Sequence, residues 1–178
     1  MTHERTLVFY GAVSVDGYIA RENHSLDWLF GTEGEEEIGF DAFYETIDTV
    51  VMGKKTYDQI LVHDPETIPY ESKECYVFSR NTTGSAGHVK FINNDIVAFM
   101  KGLKQRKGKK IWVVGGGEVL QPMMEEKLVD EFIIQITPTI LGRGIPLFLP
   151  CDVENELKLV DVHRHKQFAE VHYVLKPN

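Results

Sequence analysis

Short apolar runs alternate with segments of helical periodicity along most of this 178-residue chain. The runs are rich in Val, Ile and aromatic residues, which is typical of strands that are covered on both faces. Six such strands are predicted, at Thr6–Ser14, Thr49–Met52, Glu74–Ser79, His88–Ile92, Lys110–Val114 and Glu131–Ile136. Because strands and helices alternate, we expect a mostly parallel sheet with helices on both faces.

Helix signals fall between these strands. Thr32 and Glu35 form a capping box before a helical series of apolar residues, at Ile38, Phe40, Phe43, Tyr44 and Ile47. A second helix is predicted to begin at Lys54. A third runs from Ile96 to about Arg106, with Asn94 or Asp95 as its cap, and a fourth follows three glycines and ends at Glu126.

The end of the chain differs from the rest, because two strand-like runs, 157–163 and 170–175, follow one another without a helix between them. They predict an antiparallel hairpin. The expected fold class is therefore α/β, with a mostly parallel central sheet and an antiparallel C-terminal hairpin. The length suits a single domain over residues 1–178.

The acidic balance of the chain limits its partners. The formal net charge is −8 and the sequence pI is about 5.4, so no nucleic-acid partner is expected, since phosphate contacts need a basic face. No apolar run has the length of a membrane span, and the N-terminus lacks the pattern of a signal peptide. Cys75 and Cys151 form no disulfide framework. We expect a cytoplasmic protein without a membrane partner.

Two predicted strands end in residues suited to binding phosphate. Gly53 ends one strand, and Lys54, Lys55 and Thr56 open the helix that follows. The positive end of that helix would attract an anion. Ser79 and Arg80 end another strand, and a guanidinium makes bidentate contacts with a phosphate.

Three glycines, Gly115 to Gly117, stand between a buried strand and a helix. Glycines there let the backbone approach a ligand closely. The segment is not a GxGxxG motif, because Leu120 occupies the last glycine position, and it lacks the GK[ST] of a P-loop. A further loop, Thr137–Pro150, is rich in glycine and proline and fits a binding role or plain loop geometry equally well. His163 and His165 lack further ligands at recognisable spacing, so no metal site is predicted.

Five segments in combination resemble the dihydrofolate reductase-like superfamily, and within it the C-terminal reductase domain of the bifunctional riboflavin-biosynthesis deaminase/reductase. They are SVDGYIA at 14–20, VMGKKTY at 51–57, VFSR at 77–80, VVGGGEVL at 113–120 and LGRGIPLF at 141–148. The resemblance extends from about residue 5 to 176. It implies an NADPH-dependent oxidoreductase that resembles 5-amino-6-(5-phosphoribosylamino)uracil reductase. The chain carries no HxE or PCxxC motif of the deaminase, so a free-standing reductase-like domain is expected.

The resemblance also implies roles for individual residues. Ala12 and Ile19 would flank the nicotinamide, with Asp16 and Gly17 shaping the loop between them. Phosphate contacts would come from Gly53, Lys54, Lys55 and Thr56, and the adenosine end would meet Ser79 and Arg80, the latter favouring a 2′-phosphate. The pyrophosphate and nicotinamide ribose would lie against Val114, Gly115, Gly116, Gly117, Glu118, Val119 and Leu120, with a cis peptide at the first Gly–Gly bond. The substrate would be bordered by Leu141, Gly142 and Gly144.

The proton donor is sought on the first helix, where folate reductases carry a carboxylate. That position falls near Gly39 or Phe40, with Glu37 and Asp41 as neighbours. Asp41 is the candidate, with water as the alternative, and its pKa would need to be raised by burial. Trp28 either covers the substrate or belongs to the core.

Other functions stay open on the sequence alone. The chain could be a dihydrofolate reductase proper, a non-catalytic dinucleotide-binding module, or a reductase of another small carbonyl or imine. A homodimer is expected, because the terminal hairpin leaves a sheet edge that needs covering.

Overall fold

A computed structural model describes residues 4–35, 39–66 and 70–177. The strands are β1 (Leu7–Val13), β2 (Tyr18–Ala20), β3 (Ile47–Gly53), β4 (Glu74–Phe78), β5 (Gly84–Ala86), β6 (Val89–Ile92), β7 (Lys110–Gly115), β8 (Glu131–Ile136), β9 (Ile145–Pro146), β10 (Leu157–His165) and β11 (Phe168–Leu175). The helices are α1 (Phe40–Glu45), α2 (Lys54–His63), α3 (Ile96–Lys104) and α4 (Gly117–Glu125). Each of these helices is too short or too polar to cross a lipid bilayer.

Nine strands form one sheet in the order β10-β11-β8-β1-β7-β3-β4-β6-β5. The five neighbouring pairs from β8 to β6 are parallel, which confirms the mostly parallel centre. β10 and β11 form an antiparallel pair, and β11 also pairs antiparallel with β8. The predicted C-terminal hairpin is therefore confirmed, and it extends the sheet on one side.

Helices cover both faces of the sheet, as predicted. On one face, Met100 of α3 and Leu120 of α4 pack in a cluster that includes Phe9 of β1. On the other face, Phe43 of α1 and Tyr57 of α2 pack with a second cluster around Trp112. The side chains of β1, β3, β4 and β7 thus alternate between two cores, as expected for strands buried on both sides.

The first helix is much shorter than predicted, and the capping-box prediction is wrong. α1 begins only after Gly39, which has a φ of 75°. The Thr32 hydroxyl donates to the carbonyl of Trp28, and a Glu35 carboxylate oxygen accepts from the amide of Gly31, so neither caps a helix. Ile38 lies outside the described residues. Ile47, the last residue of the helical series, begins β3 instead.

The apolar spacing misled because it continues across the end of the helix. Phe43 of α1 and Ile47 of β3 are both buried in the cluster around Trp112. Both residues therefore satisfy the same core, although one lies in a helix and the other in a strand. The spacing of apolar residues shows which side chains face the core, and it does not by itself show where a helix ends and a strand begins.

The segment after β1 and the predicted loop Thr137–Pro150 each contain a short strand. β2 and β9 pair antiparallel, with Tyr18 opposite Pro146. A methyl group added to Gly144 would lie 2.3 Å from the carbonyl oxygen of Ala20, so only a glycine allows this close approach. The pairing fastens the two loops to each other beyond the end of β1.

Candidate functional site

A cleft of about 1160 Å³ opens at the carboxyl ends of the parallel strands. Residues at or just beyond the ends of β1, β3, β4, β6 and β7 line it. In open α/β sheets this edge is where ligands bind. The volume is somewhat larger than the roughly 300–1,000 Å³ of most small-molecule pockets, so the cleft can take an extended ligand.

Two helices start in this cleft without a side-chain cap. α2 follows Gly53 and α4 follows Gly116, and since each N-cap is a glycine, no backbone N–H of either first turn donates to an N-cap side chain. At the start of α3, by contrast, Asp95 accepts a hydrogen bond of 2.7 Å from the amide of Ala98. The starts of α2 and α4 therefore present backbone N–H groups and the positive ends of two helix dipoles to an anion.

Gly116 lies where three predicted segments meet. The peptide bond between Gly115 and Gly116 is cis, as the resemblance implied. A methyl group on Gly116 would lie 3.7 Å from Cδ1 of Ile19 and 3.8 Å from Oγ1 of Thr56. The absence of a side chain at this position keeps the space between those two residues open.

Gly117, the next residue, is needed for a different reason. A methyl group there would lie 3.1 Å from the carbonyl oxygen of Leu147, so the start of α4 packs directly on the loop after β9. Three successive glycines thus serve two needs, open space in the cleft and close packing behind it.

The lysines at the start of α2 already have carboxylate partners. Lys54 binds Asp58 one helical turn on, at 2.5 Å. Lys55 lies 3.5 Å from Glu118 of α4, and both side chains are exposed. This second pair links the two helix starts across the cleft. A phosphate placed there could replace the carboxylates at modest cost, because exposed ion pairs contribute little to stability.

Ser79 and Arg80 have different structural roles at the end of β4. The Ser79 hydroxyl oxygen accepts from the amides of Asn81 and Thr82, at 3.3 and 3.0 Å. It therefore closes the turn that follows β4. Arg80 is exposed within that turn and lines the cleft. Its guanidinium is therefore accessible to a ligand in the cleft.

Asp16 fastens the loop after β8 to the loop after β1. One of its oxygens accepts from the Ser14 hydroxyl at 2.7 Å and from the amide of Leu141 at 3.0 Å. The other oxygen accepts from the amide of Gly142 at 2.7 Å. The Ser14 hydrogen bond is the largest cause that holds the pKa of Asp16 below its usual value, and the two amides add to it. The carboxylate is thus charged at neutral pH and fixes the shape of the rim.

Most of the predicted cofactor residues come together in the cleft. Those that line it are Ala12, Ile19, Gly53, Lys54, Lys55, Thr56, Ser79, Arg80, Val114, Gly115, Gly116, Gly117, Glu118 and Val119. Leu120 does not, because it is fully buried among the core side chains beneath α4. Leu120 thus belongs to the helix that follows the glycines, and its side chain packs in the core and does not face the cleft.

The predicted substrate residues lie elsewhere. Leu141 and Gly142 line a separate, shallow pocket together with Arg21 and Arg143. Gly144 packs against β2, as described above. The residues just after them, Ile145 to Leu147, are the part of this loop that lines the cleft.

The two predicted catalytic side chains are not in the cleft either. Asp41 is exposed in the first turn of α1, and Trp28 is only 7% exposed. Neither is among the residues that line the cleft. The third residue named with them, Glu37, lies outside the described residues.

Sequence reasoning missed a further set of residues that line the cleft. They are Leu26, Leu29, Ile60, Tyr70 and residues 93–97. The polar run Asn93-Asn94-Asp95 directly after a strand was the available signal, and it was interpreted only as a helix cap. The apolar residues of this set could not be recognised from the local sequence, because only the tertiary fold brings them to the cleft.

Comparisons with known proteins agree with the residue pattern. A model of the RibD C-terminal domain family matches residues 5–171. The Bacillus subtilis (strain 168) protein YwjB, itself uncharacterised, is 45% identical over 172 residues, which are 96% of this chain and 98% of that protein.

Solved structures share the fold. A protein from Shewanella sp. PV-4, assigned provisionally to riboflavin biosynthesis, is 28% identical with a TM-score of 0.86, covering 97% of this chain and 99% of that one. The Thermotoga maritima diaminohydroxyphosphoribosylaminopyrimidine deaminase/5-amino-6-(5-phosphoribosylamino)uracil reductase is 16% identical with a TM-score of 0.70, covering 97% of this chain and 57% of that one. That second likeness concerns the fold alone. By the match of the family model over most of its length, the chain belongs to the RibD C-terminal domain family.

Proposed function

We propose that the chain is an NADPH-dependent reductase that transfers a hydride to a small pyrimidine- or pterin-like heterocycle. The reaction would resemble that of 5-amino-6-(5-phosphoribosylamino)uracil reductase. The observation that carries the proposal is the convergence of two helix starts without side-chain caps, at Gly53 and Gly116, in one cleft. Membership of the RibD C-terminal domain family supports it.

The residues of the cleft fit a dinucleotide. The helix starts at Gly53 and Gly116 would hold its phosphates, since each offers backbone N–H groups to an anion. The space beside Gly116 admits a group between Ile19 and Thr56. The overall charge of −8 is no obstacle, because local lysines and helix dipoles set the potential at the site.

Arg80 supports NADPH over NADH. It is exposed at the rim of the cleft, and arginine binds a phosphate monoester with two parallel hydrogen bonds. The 2′-phosphate is the group that distinguishes the two cofactors.

The nicotinamide end would lie toward Ala12 and Ile19, which line the cleft beside β1 and β2. Bound NADPH supplies the hydride. The contribution of the protein is to place the substrate against the ring and to exclude water. Asp41 and Trp28 do not line the cleft, so neither is assigned a role in cofactor binding here.

The test is a fluorescence titration with NADPH and with NADH. Wild type is compared with Arg80→Ala and with the control Arg164→Ala, an exposed arginine of β10 whose guanidinium donates to the carbonyl of Lys166. We expect wild type and the control to prefer NADPH. Arg80→Ala should weaken NADPH binding by about 10- to 150-fold, since a hydrogen bond to a charged group contributes roughly 1.5–3 kcal/mol.

Two outcomes would contradict the proposal. Failure of both dinucleotides to bind would mean that the glycine and lysine turns serve only the fold. Equal affinity of wild type for NADPH and NADH would remove the 2′-phosphate contact, and with it the choice of cofactor.

A further inference from the structure

A group of polar side chains, two of them buried and two half-buried, lies on the α1 face of the sheet. Tyr10, Gln135, His165 and Glu170 form this group, called here the polar cluster. Gln135 of β8 stands opposite Ala12 of β1 and opposite Glu170 of β11. Residues paired across strands project from the same face, so Ala12, Gln135 and Glu170 form a row across three strands.

Two atoms of the polar cluster lack a hydrogen-bond partner. Gln135 is 0% exposed, and its Nε2 donates to Oε2 of Glu170 at 2.8 Å. Its Oε1 finds no partner within the described part of the chain, and neither does Nε2 of His165. Buried polar atoms are nearly always paired, because an unpaired one loses its hydration without compensation. The orphaned amide oxygen therefore calls for a ligand or an ordered water.

The carboxylate of Glu170 is also poorly compensated. Its side chain is 14% exposed, and Nε2 of His165 is 3.7 Å away, too far for a hydrogen bond. Burial, and after it the charge of Glu170, raises the pKa of Tyr10. Glu131, on the same face of β8, is different, because Lys110 donates to both of its oxygens, at 3.1 and 2.8 Å.

Position connects the polar cluster to the chemistry of the cleft. Ala12 lines the cleft, whereas the four side chains of the polar cluster lie behind that lining; Ala12 stands in the same row as Gln135 and Glu170. Adjacent strands are about 4.8 Å apart, so Gln135 and Glu170 lie roughly 5 and 10 Å from β1. A ring held against Ala12 and extended along this row would approach Gln135 first and Glu170 next. The ring of Phe43 of α1 stacks on Tyr10, with the two ring centroids 4.0 Å apart.

We propose that Oε1 of Gln135 and the carboxylate of Glu170 recognise the N–H edge of the hydride-accepting heterocycle. The inference rests on the proposed function, since it assumes that the acceptor lies beside Ala12. The two groups assigned to recognition, the amide oxygen of Gln135 and the carboxylate of Glu170, are hydrogen-bond acceptors, so the substrate class is a nitrogen heterocycle with an amino group next to a ring N–H. The recognising carboxylate then comes from β11, and not from α1, where the sequence placed it.

The experiment uses the protein saturated with NADP⁺ and the probe 2,4-diaminopyrimidine, which when protonated carries an amino group beside a ring N–H. The comparison ligand is 2,4-dimethoxypyrimidine, which lacks N–H donors. Binding is followed by calorimetry for wild type, Glu170→Gln and the matched control Glu131→Gln. Gln135→Met, which is close in volume and removes the amide oxygen, is a second variant in case Glu170→Gln does not fold.

We expect the diamino probe to bind wild type and Glu131→Gln alike, and the dimethoxy ligand to bind neither. Glu170→Gln should bind the diamino probe about 10- to 100-fold more weakly, because a charge-assisted hydrogen bond is lost, and Gln135→Met about 2- to 10-fold more weakly. NADP⁺ binding should be the same in all four proteins.

Equal binding of the diamino probe to wild type and Glu170→Gln would overturn the inference. So would equal binding of the two ligands, or no binding of the diamino probe to the NADP⁺-loaded protein. In each of these cases the proposed function would stand, because NADP⁺ still binds. Failure of wild type to bind NADP⁺ would overturn the proposed function, and the inference with it.

Discussion

The replacement Gly144→Ala tests how the rim of the cleft is built. The added methyl group would lie 2.3 Å from the carbonyl oxygen of Ala20 and 3.2 Å from Cβ of Tyr18. Carbon–oxygen contacts rarely fall below about 3.3 Å, so β2 and β9 would have to separate by roughly 1 Å. No side-chain rotation relieves this clash, because the obstructing atom belongs to the backbone.

The expected cost follows from that geometry. Overpacking of this kind lowers the free energy of unfolding by about 1–3 kcal/mol. For a domain of this size each kcal/mol corresponds to roughly 2–4 °C, so the melting temperature should fall by about 2–12 °C. NADPH binding should weaken as well, because Ile145, Pro146 and Leu147 line the cleft and move with β9. Calorimetric melting and a fluorescence titration measure the two effects.

Gly102→Ala in α3 is the matched control. Within the described residues, no heavy atom lies within 4 Å of a methyl group added there, apart from the chain neighbours and the backbone of the helix itself. Alanine in place of glycine inside a helix stabilises by about 0.5–1 kcal/mol, so this variant should melt higher than wild type and bind NADPH equally well. A Gly144→Ala variant as stable as wild type would refute the argument that this position requires glycine for close packing.

Three further predictions concern the rim and the sheet edge. Lys55→Ala should change the free energy of unfolding by less than about 1 kcal/mol, because the ion pair of Lys55 with Glu118 is exposed. The same variant should bind NADPH more weakly than wild type. Chemical denaturation measures the first effect and a fluorescence titration the second, and an unchanged affinity for NADPH would contradict the prediction. The pKa of Asp16 is lowered from 3.8, so the stabilisation that its carboxylate gives the rim should be present above pH 3.8 and be lost as the pH falls through the lowered pKa. An NMR titration of the carboxyl carbon of Asp16 measures that pKa. A midpoint at or above pH 3.8 would contradict the prediction. We propose that a second copy of the chain covers the edge strand β10, where Leu159, Val160 and Val162 are 50, 52 and 57% exposed. In sedimentation at micromolar concentration, wild type should be a dimer and Val162→Lys a monomer. A wild-type monomer would contradict the proposal.

The parallel core of the fold was predictable because its strands are buried on both faces. Each appears as a continuous apolar run, and the covering helices supply the alternation between runs. β2, β5 and β9 were not predictable, since each has only two or three residues and is defined by a pairing partner elsewhere in the fold. The early end of α1 was hidden by a core-facing pattern shared by Phe43 and Ile47.

The residues of the proposed cofactor site were predictable as a group for a local reason. Gly53 and Gly116 each lie between a strand and a helix, and that arrangement by itself favours anion binding. The polar cluster was not predictable, because Gln135 and Glu170 are brought together only by the pairing of β8 with β11. Gln135 did leave one trace, as a polar residue within the apolar run Phe132–Ile136.

The most direct test of the proposed cofactor site is an amide NMR spectrum of the protein recorded with increasing NADPH. If the two helix starts bind the phosphates, the largest shifts should occur at the amides of residues 54–56 and 116–118, with smaller shifts at Ala12 and Ile19. Large shifts confined to other parts of the chain, or none on addition of NADPH, would contradict the assignment of this cleft to a dinucleotide.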